Sequence, residues 1–312
     1  MALANTSTAP MSVYIAGVPG AFGGLASELT QQLVAAGHKV MVMTHGSDGA
    51  RAVRAVGALP IYPDLFRAGE MQSMMQAAKV NAVVNLAPQS MNHIPYAPIA
   101  WDERVLSEGT AALLEAAQQA GVEYFVHTSY AYIGGGQVEE LSSLLRAAAR
   151  AERQVLGGSI PASVLRMGFL YGASSLELTS ALDAIRLGRP VETGADVPAH
   201  WTHIGDAARA ILLALEKRPA GVTLNVVDDT PASTAEFMRY FTESQGLGVP
   251  GRLPFLSSLS QDKRQVALMS VPAHGDNAAA KEALGWQPRF PNYRAGIDDT
   301  LLTWRAQEPQ RT

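Results

Sequence analysis

A chain of 312 residues with a net charge of −4 and a pI of about 6.0 can form one large α/β domain or a domain with a smaller partner. Its 47% hydrophobic and 17% charged residues are a globular composition, no apolar run reaches the roughly 18 residues of a bilayer span, and the scattered Lys and Arg leave no nucleic-acid footprint. The absence of cysteine excludes disulfide frameworks, thiolate metal sites and cysteine nucleophiles, so chemistry falls to hydroxyls, imidazoles, carboxylates or a cofactor, with a small molecule as the expected partner.

Residues 1–11 lack the basic start and apolar stretch of a signal peptide and are expected to be a disordered start of a cytoplasmic protein. Beyond them, VYIAG (13–17), KVMVMT (39–44), LPIYPDL (59–65), VNAVVNLA (80–87), YFVHTSYAYI (124–133) and ASVLRMGFLYG (162–172) read as strands, bounded by Gly or Pro. Their continuous apolarity suits a parallel sheet covered on both faces. Between them run helical patterns: Leu25, Leu29 and Leu33 form one stripe that stops at Gly37, and Leu106, Leu113 and Ala117 another that stops at Gly121. This alternation predicts a Rossmann-type doubly wound sheet over residues 12–172. After it, residues 173–312 are predicted to form mostly a substrate-binding cap, with segments around 202–228 returning to the sheet.

Gly17, Gly20 and Gly23 form G-x-x-G-x-x-G between the first strand and a helix expected to begin near Ala21. The first glycine permits the turn, the second lets backbone approach a pyrophosphate, and the third allows close helix packing; Ala21 and Phe22 lie on the same turn. At the end of the second strand, where an acid would hold an NAD ribose, stand Thr44, His45, Gly46 and Ser47. With Arg51 nearby, this favours a 2′-phosphate, so NADP is the expected cofactor and NAD the alternative.

With these motifs the chain resembles an extended short-chain dehydrogenase/reductase of the NAD-dependent epimerase/dehydratase type. Further points of likeness are Asp64-Leu65, VVNLA at 83–87, LRMGFLYG, THIGDAARAI, NVVDDTPAS and EALGWQPRFPNYRAGI, in the family's order. The resemblance implies Asp64 and Leu65 on the adenine side, Leu86 and Ala87 behind the nicotinamide ribose, and Thr128 on the cofactor side of the fifth strand. It also implies a Ser or Thr at that strand's end and a Y-x-x-x-K on the next helix, where the tyrosine moves the proton and the lysine tunes it.

Here the pattern departs from the family. Ungapped, Tyr130 falls at the Ser position, and a slip of one residue restores Ser129. No tyrosine in the chain has a lysine four residues on. Counting back from Glu152, the missing pair falls at Leu144 and Ala148. The chain is thus an atypical member, with Tyr130, Ser129 and His93, in the loop after the fourth strand beside Tyr96, as candidates for a relocated proton donor. Tyr171 and Asp206 read as structural, and His200 with His203 lack a near carboxylate, so no metal is expected. The reading is an NAD(P)H-dependent carbonyl reductase of a small or mid-sized organic substrate. A non-catalytic dinucleotide-binding sensor or assembly protein, and a non-redox isomerase or lyase, stay open. A homodimer through the helices flanking the fifth strand is a further expectation.

Overall fold

The structure, a computed structural model, describes residues 9–16, 23–86, 103–133, 142–188, 196–248 and 270–307. Seven strands form one parallel sheet in the order β3-β2-β1-β4-β5-β6-β9. They are β1 (Ser12–Ala16), β2 (Lys39–Met43), β3 (Leu59–Ile61), β4 (Ala82–Asn85), β5 (Tyr124–Tyr130), β6 (Ala162–Met167) and β9 (Val222–Val226). The order reverses between β1 and β4, which makes the carboxyl ends of those two neighbours the switch point where such sheets bind ligand.

Strand residues alternate between two cores, as a sheet buried on both faces requires. Val13, Ile15, Val42, Val84 and Val126 face α1 (Gly24–Ala35) and α7 (Ile204–Lys217) through Leu29, Leu33 and Ile211. Tyr14, Met41, Val83 and Phe125 face the other way, toward Met71 and Met75 of α3 (Ala68–Ala77) and Leu113 of α4 (Thr110–Gln119). Helix α2 (Gly46–Ala55) connects β2 to β3, and a π-helical turn, Val105–Gly109, leads into α4.

The run read as one strand at 162–172 is two. It breaks at Gly168, where a Cβ would stand 2.6 Å from the His200 carbonyl oxygen, so only glycine admits the crossing chain. Beyond the break, β7 (Phe169–Tyr171) pairs with β8 (Trp201–His203) in a separate two-stranded parallel sheet. The segment around 202–228 therefore supplies β8 to the small sheet, α7 to the face of the large one and β9 to its edge.

Helices α5 (Ser142–Leu156) and α6 (Leu176–Arg186) follow β5 and β7. The C-terminal part adds α8 (Thr234–Glu243), α9 (Ala278–Leu284) and α10 (Tyr293–Gln307). An aromatic core of Tyr171, Trp201, Phe237, Phe241 and Tyr293 joins α8 and α10 to the small sheet. Asp206 clamps the return of the chain: its carboxylate accepts from the backbone N–H of Arg289 (2.9 Å) and Phe290 (3.0 Å). Among the described residues no helix is long and apolar enough to cross a membrane, and no group of three His, Asp or Glu could hold a metal ion.

Candidate functional site

Of the dinucleotide candidates, Gly23, Thr44, His45, Asp64, Leu65, Leu86 and Thr128 lie among the described residues. Helix α1 begins at Gly24 rather than near Ala21, with Gly23 as its N-cap residue. Glycine is the poorest helix former after proline, so a start crowded with Gly20, Gly23 and Gly24 shortens the helix. The N–H of Gly24 donates to the carbonyl of Ser174 at 3.1 Å, which ties this end of α1 to the turn after β7. No side chain caps α1, no carboxylate lies in its first turn, and a Cβ on Gly23 would meet nothing within 4 Å. A helix start with no side-chain cap and no acid in its first turn fits an anion such as a pyrophosphate. Gly17, Gly20, Ala21, Phe22, Ala87, His93 and Tyr96 lie outside the described residues.

Thr44 is wholly buried between β2 and β3: its N–H donates to Ile61, and its Oγ1 has no partner. His45 is exposed at the N-cap of α2. Arg51, expected to face a 2′-phosphate, lies 3.3 Å from Asp48 on the same helix, and both are fully in solvent. The Asp64 carboxylate turns back onto its own loop, accepting from the N–H of Phe66 at 2.9 Å and lying 3.5 Å from Arg67. Leu65 packs on Gly109 of the π-helical turn. Leu86 buries its side chain in the core and donates its N–H to Ala16, so any contact it makes with a ligand is through backbone.

Under the crevice lies a polar network that sequence reading missed. The Asn85 amide donates to Thr110 Oγ1 at 3.2 Å and sits 3.2 Å from His127 Nδ1, joining β4, β5 and the start of α4. The signal was present, as an Asn and a His inside otherwise apolar runs. Burial pushes the His127 pKa down to about 4, so the ring is neutral at pH 7. Thr128 is also buried and donates to the Asn85 carbonyl at 3.3 Å.

At the end of β5, Ser129 stands opposite Arg166 and Tyr130 opposite Met167. Ser129 Oγ is buried without a partner. Tyr130 stacks on Tyr132 with ring centroids 5.0 Å apart. Leu144 and Ala148, where the resemblance puts the tyrosine and lysine, are fully buried in one cluster with Leu106, Tyr130, Tyr132, Ala147 and Val271. Arg146 and Arg150 are exposed on the other side of α5. Glu152 takes two hydrogen bonds from Arg166, at 2.8 and 2.6 Å, and Arg166 also reaches the Ile133 carbonyl at 3.4 Å. That pair fixes the turn leaving β5 against α5 and β6.

Tyr171 is held away from this edge: its hydroxyl donates to Asp228 at 2.9 Å, and burial raises the pKa of both groups. His203 caps α7 by accepting from the N–H of Gly205 at 3.2 Å. Both serve structure in this arrangement.

Over 309 residues the chain is 29% identical to a 3-diazoavenalumate denitrifying reductase from a Streptomyces species, covering 92% of this chain and 99% of that protein. It is 27% identical to the human epimerase family protein SDR39U1, covering 91% of this chain and 98% of that one. The fold is similar to a UDP-glucose-4-epimerase from Stenotrophomonas maltophila solved with NAD and formylated UDP-arabinopyranose, at a TM-score of 0.74 and 21% identity over 95% of this chain and 98% of that one. The model of the NAD dependent epimerase/dehydratase family matches residues 16–227, about two thirds of the sequence, and the chain belongs to that family.

Proposed function

We propose that the protein is an NADP(H)-dependent oxidoreductase that reduces a carbonyl in a small or mid-sized organic substrate without the tyrosine and lysine that the family resemblance implies. The observation that carries this reading is the start of α1 at the switch point, which has neither a side-chain cap nor an acid in its first turn; Leu144 and Ala148 of α5, where the resemblance puts the tyrosine and lysine, are buried and apolar. When bound, the reduced nicotinamide supplies hydride. Gly17, Gly20 and Gly23 hold the pyrophosphate, Asp64 and Leu65 border the adenine, and His45 with Ser47 meets the 2′-phosphate. Arg51 joins them only by leaving Asp48, an exposed pair worth less than about 1 kcal/mol. Tyr130 orients the substrate and donates a proton, with His93 as the second donor.

A reductase among the relatives favours redox chemistry over the isomerase and lyase readings. The apolar filling at Leu144 and Ala148 favours one second reading, a protein that holds the dinucleotide without turning it over. Calorimetric titration with NADPH and NADH, followed by NADPH oxidation against a panel of carbonyls, decides between them. NADPH preference with turnover is expected. Tight binding with no turnover leaves the holding protein, and NADH preference removes the 2′-phosphate assignment. Tyr130→Phe is expected to slow turnover by about 10²-fold, at the low end for a general acid, because no lysine tunes this phenol. Gly20→Val is expected to abolish binding, since a branched side chain blocks backbone approach to the pyrophosphate. Sedimentation tests the homodimer through α4 and α5.

A further inference from the structure

A row of rings runs from the end of β5 toward the C-terminal part of the chain. Tyr130 and Tyr132 stack at 5.0 Å with planes 19° apart, Tyr132 lies 6.2 Å from Phe169, and Phe169 lies 5.4 Å from Trp201. The last ring is anchored, 3.9 Å from Phe237 and with its indole N–H donated to the Ala232 carbonyl at 2.8 Å. These separations are those at which aromatic rings attract one another beyond simple burial.

Tyr130 and Tyr132 are buried, while Phe169 and Ile133 keep part of their surface exposed. Leu144 and Val271 pack beside the tyrosines. The charged pair that borders this cluster, Glu152 and Arg166, is closed on itself by its two hydrogen bonds. The described residues beside the reacting edge are therefore mostly aromatic and aliphatic. A ligand bearing many hydroxyls would leave polar groups unpaired against them, which disfavours binding. A ring would gain contact area and stacking.

We infer that the substrate is a planar aromatic compound, bound with its ring against Phe169 and the Tyr132 edge of the row and its reducible group over the end of β5. The inference rests on the oxidoreductase reading, which makes that strand end the reacting edge. Trp201, locked to Phe237 and Ala232, gives Phe169 a fixed backing, so the row is ordered before ligand arrives and little is lost in ordering it.

The test is calorimetric titration of the full chain, saturated with NADP⁺, using 4-hydroxycinnamate and UDP-glucose as probes. Binding of 4-hydroxycinnamate and none of UDP-glucose is expected. Phe169→Leu keeps an apolar side chain of similar reach but removes the ring, and is expected to weaken 4-hydroxycinnamate about three- to tenfold. Tyr132→Leu, as a second variant, is expected to act in the same direction, with thermal melting confirming that both fold. Preference for UDP-glucose overturns the inference, and so does an affinity for 4-hydroxycinnamate that neither variant changes. A parallel titration with NADPH separates the two readings. Dinucleotide bound without 4-hydroxycinnamate sinks the aromatic substrate alone, whereas 4-hydroxycinnamate bound without dinucleotide sinks the oxidoreductase and leaves the aromatic site standing.

Discussion

The two sides of the sheet's carboxyl edge are built from different materials. Around β1, β2 and β4 the features that suit a dinucleotide are backbone features, namely an uncapped helix start, open space at Gly23 and a strand order that reverses between β1 and β4. Around β5 and α5 the features that would move a proton are side chains, and there the chain carries Leu144, Ala148 and stacked tyrosines. The polar groups of this side have withdrawn beneath the crevice, where Asn85, His127 and Thr110 bond to one another. Holding a cofactor and supplying a proton are thus separable properties of the fold. The first depends on the path of the backbone and the second on side chains, which at Leu144 and Ala148 are apolar.

The strongest way to break that comparison is to put the missing pair back. Ala148 is fully buried among Leu106, Leu144 and the two tyrosines, so Ala148→Lys with Leu144→Tyr places an ammonium in apolar surroundings. A cation there is desolvated and loses its proton or distorts the cluster, at a cost of several kcal/mol. The double variant is expected to melt well below the parent and to gain no turnover. A stable variant with raised NADPH oxidation would show that the site still has the geometry for the pair and lacks only the residues.

A smaller effect is expected at the clamp between the two sides. Glu152→Ala leaves the Arg166 guanidinium, three-quarters buried, without its carboxylate, and frees the turn at Ile133. Breaking such a pair costs about 3 kcal/mol, reduced somewhat by the exposed part of Arg166. Urea unfolding measures this loss, with NADPH affinity read on the same variant. The comparison requires that affinity to hold; a parallel fall would mean that β5 and α5 help to carry the dinucleotide.

Much of the backbone side was legible in the residues. Alternating apolar runs and helical stripes gave the doubly wound sheet, and the glycine spacing marked its switch point, because both depend on local periodicity and on turn chemistry. What escaped depends on contacts distant in sequence. Nothing in ASVLRMGFLYG says that the strand must end at Gly168; the reason is the His200 carbonyl, which arrives from 32 positions further on. Asn85 and His127 were visible as polar residues in apolar runs, yet their purpose follows only from the register that sets β4 beside β5. Likewise Val271 joins the tyrosine cluster from a stretch with no pattern of its own. The absent tyrosine and lysine were read directly, whereas the aromatic row that occupies the same edge needed three dimensions.

The mildest test concerns the histidines, and it sharpens the claim that neither supplies a proton at neutral pH. His127 under β5 and His203 at the head of α7 both have pKa values pushed down to about 4, His127 by burial and His203 by burial with a smaller effect of Arg289. An unfolded histidine titrates near ~6.5, so between that pH and 4 the unfolded chain holds a proton that the folded chain has released. Stability from each is fully present above pH 6.5 and is lost as pH falls toward 4. Asp228, whose pKa burial raises, works in the opposite direction and softens the slope. His203→Asn removes one titrating group and keeps a side chain that accepts from the N–H of Gly205, since Asn is among the best N-cap residues. At pH 7 the variant is expected to unfold within about 1 kcal/mol of the parent, and between pH 6.5 and 4 its stability should fall less steeply, by up to about 3 kcal/mol over the window. His127 stays in place and, with His38 and His200, whose pKa values burial also lowers, supplies slope that remains. Urea midpoints measured at half-unit steps of pH check this, and parent and variant curves that stay parallel would show that folding leaves the His203 pKa unshifted, so that it remains open as a proton source.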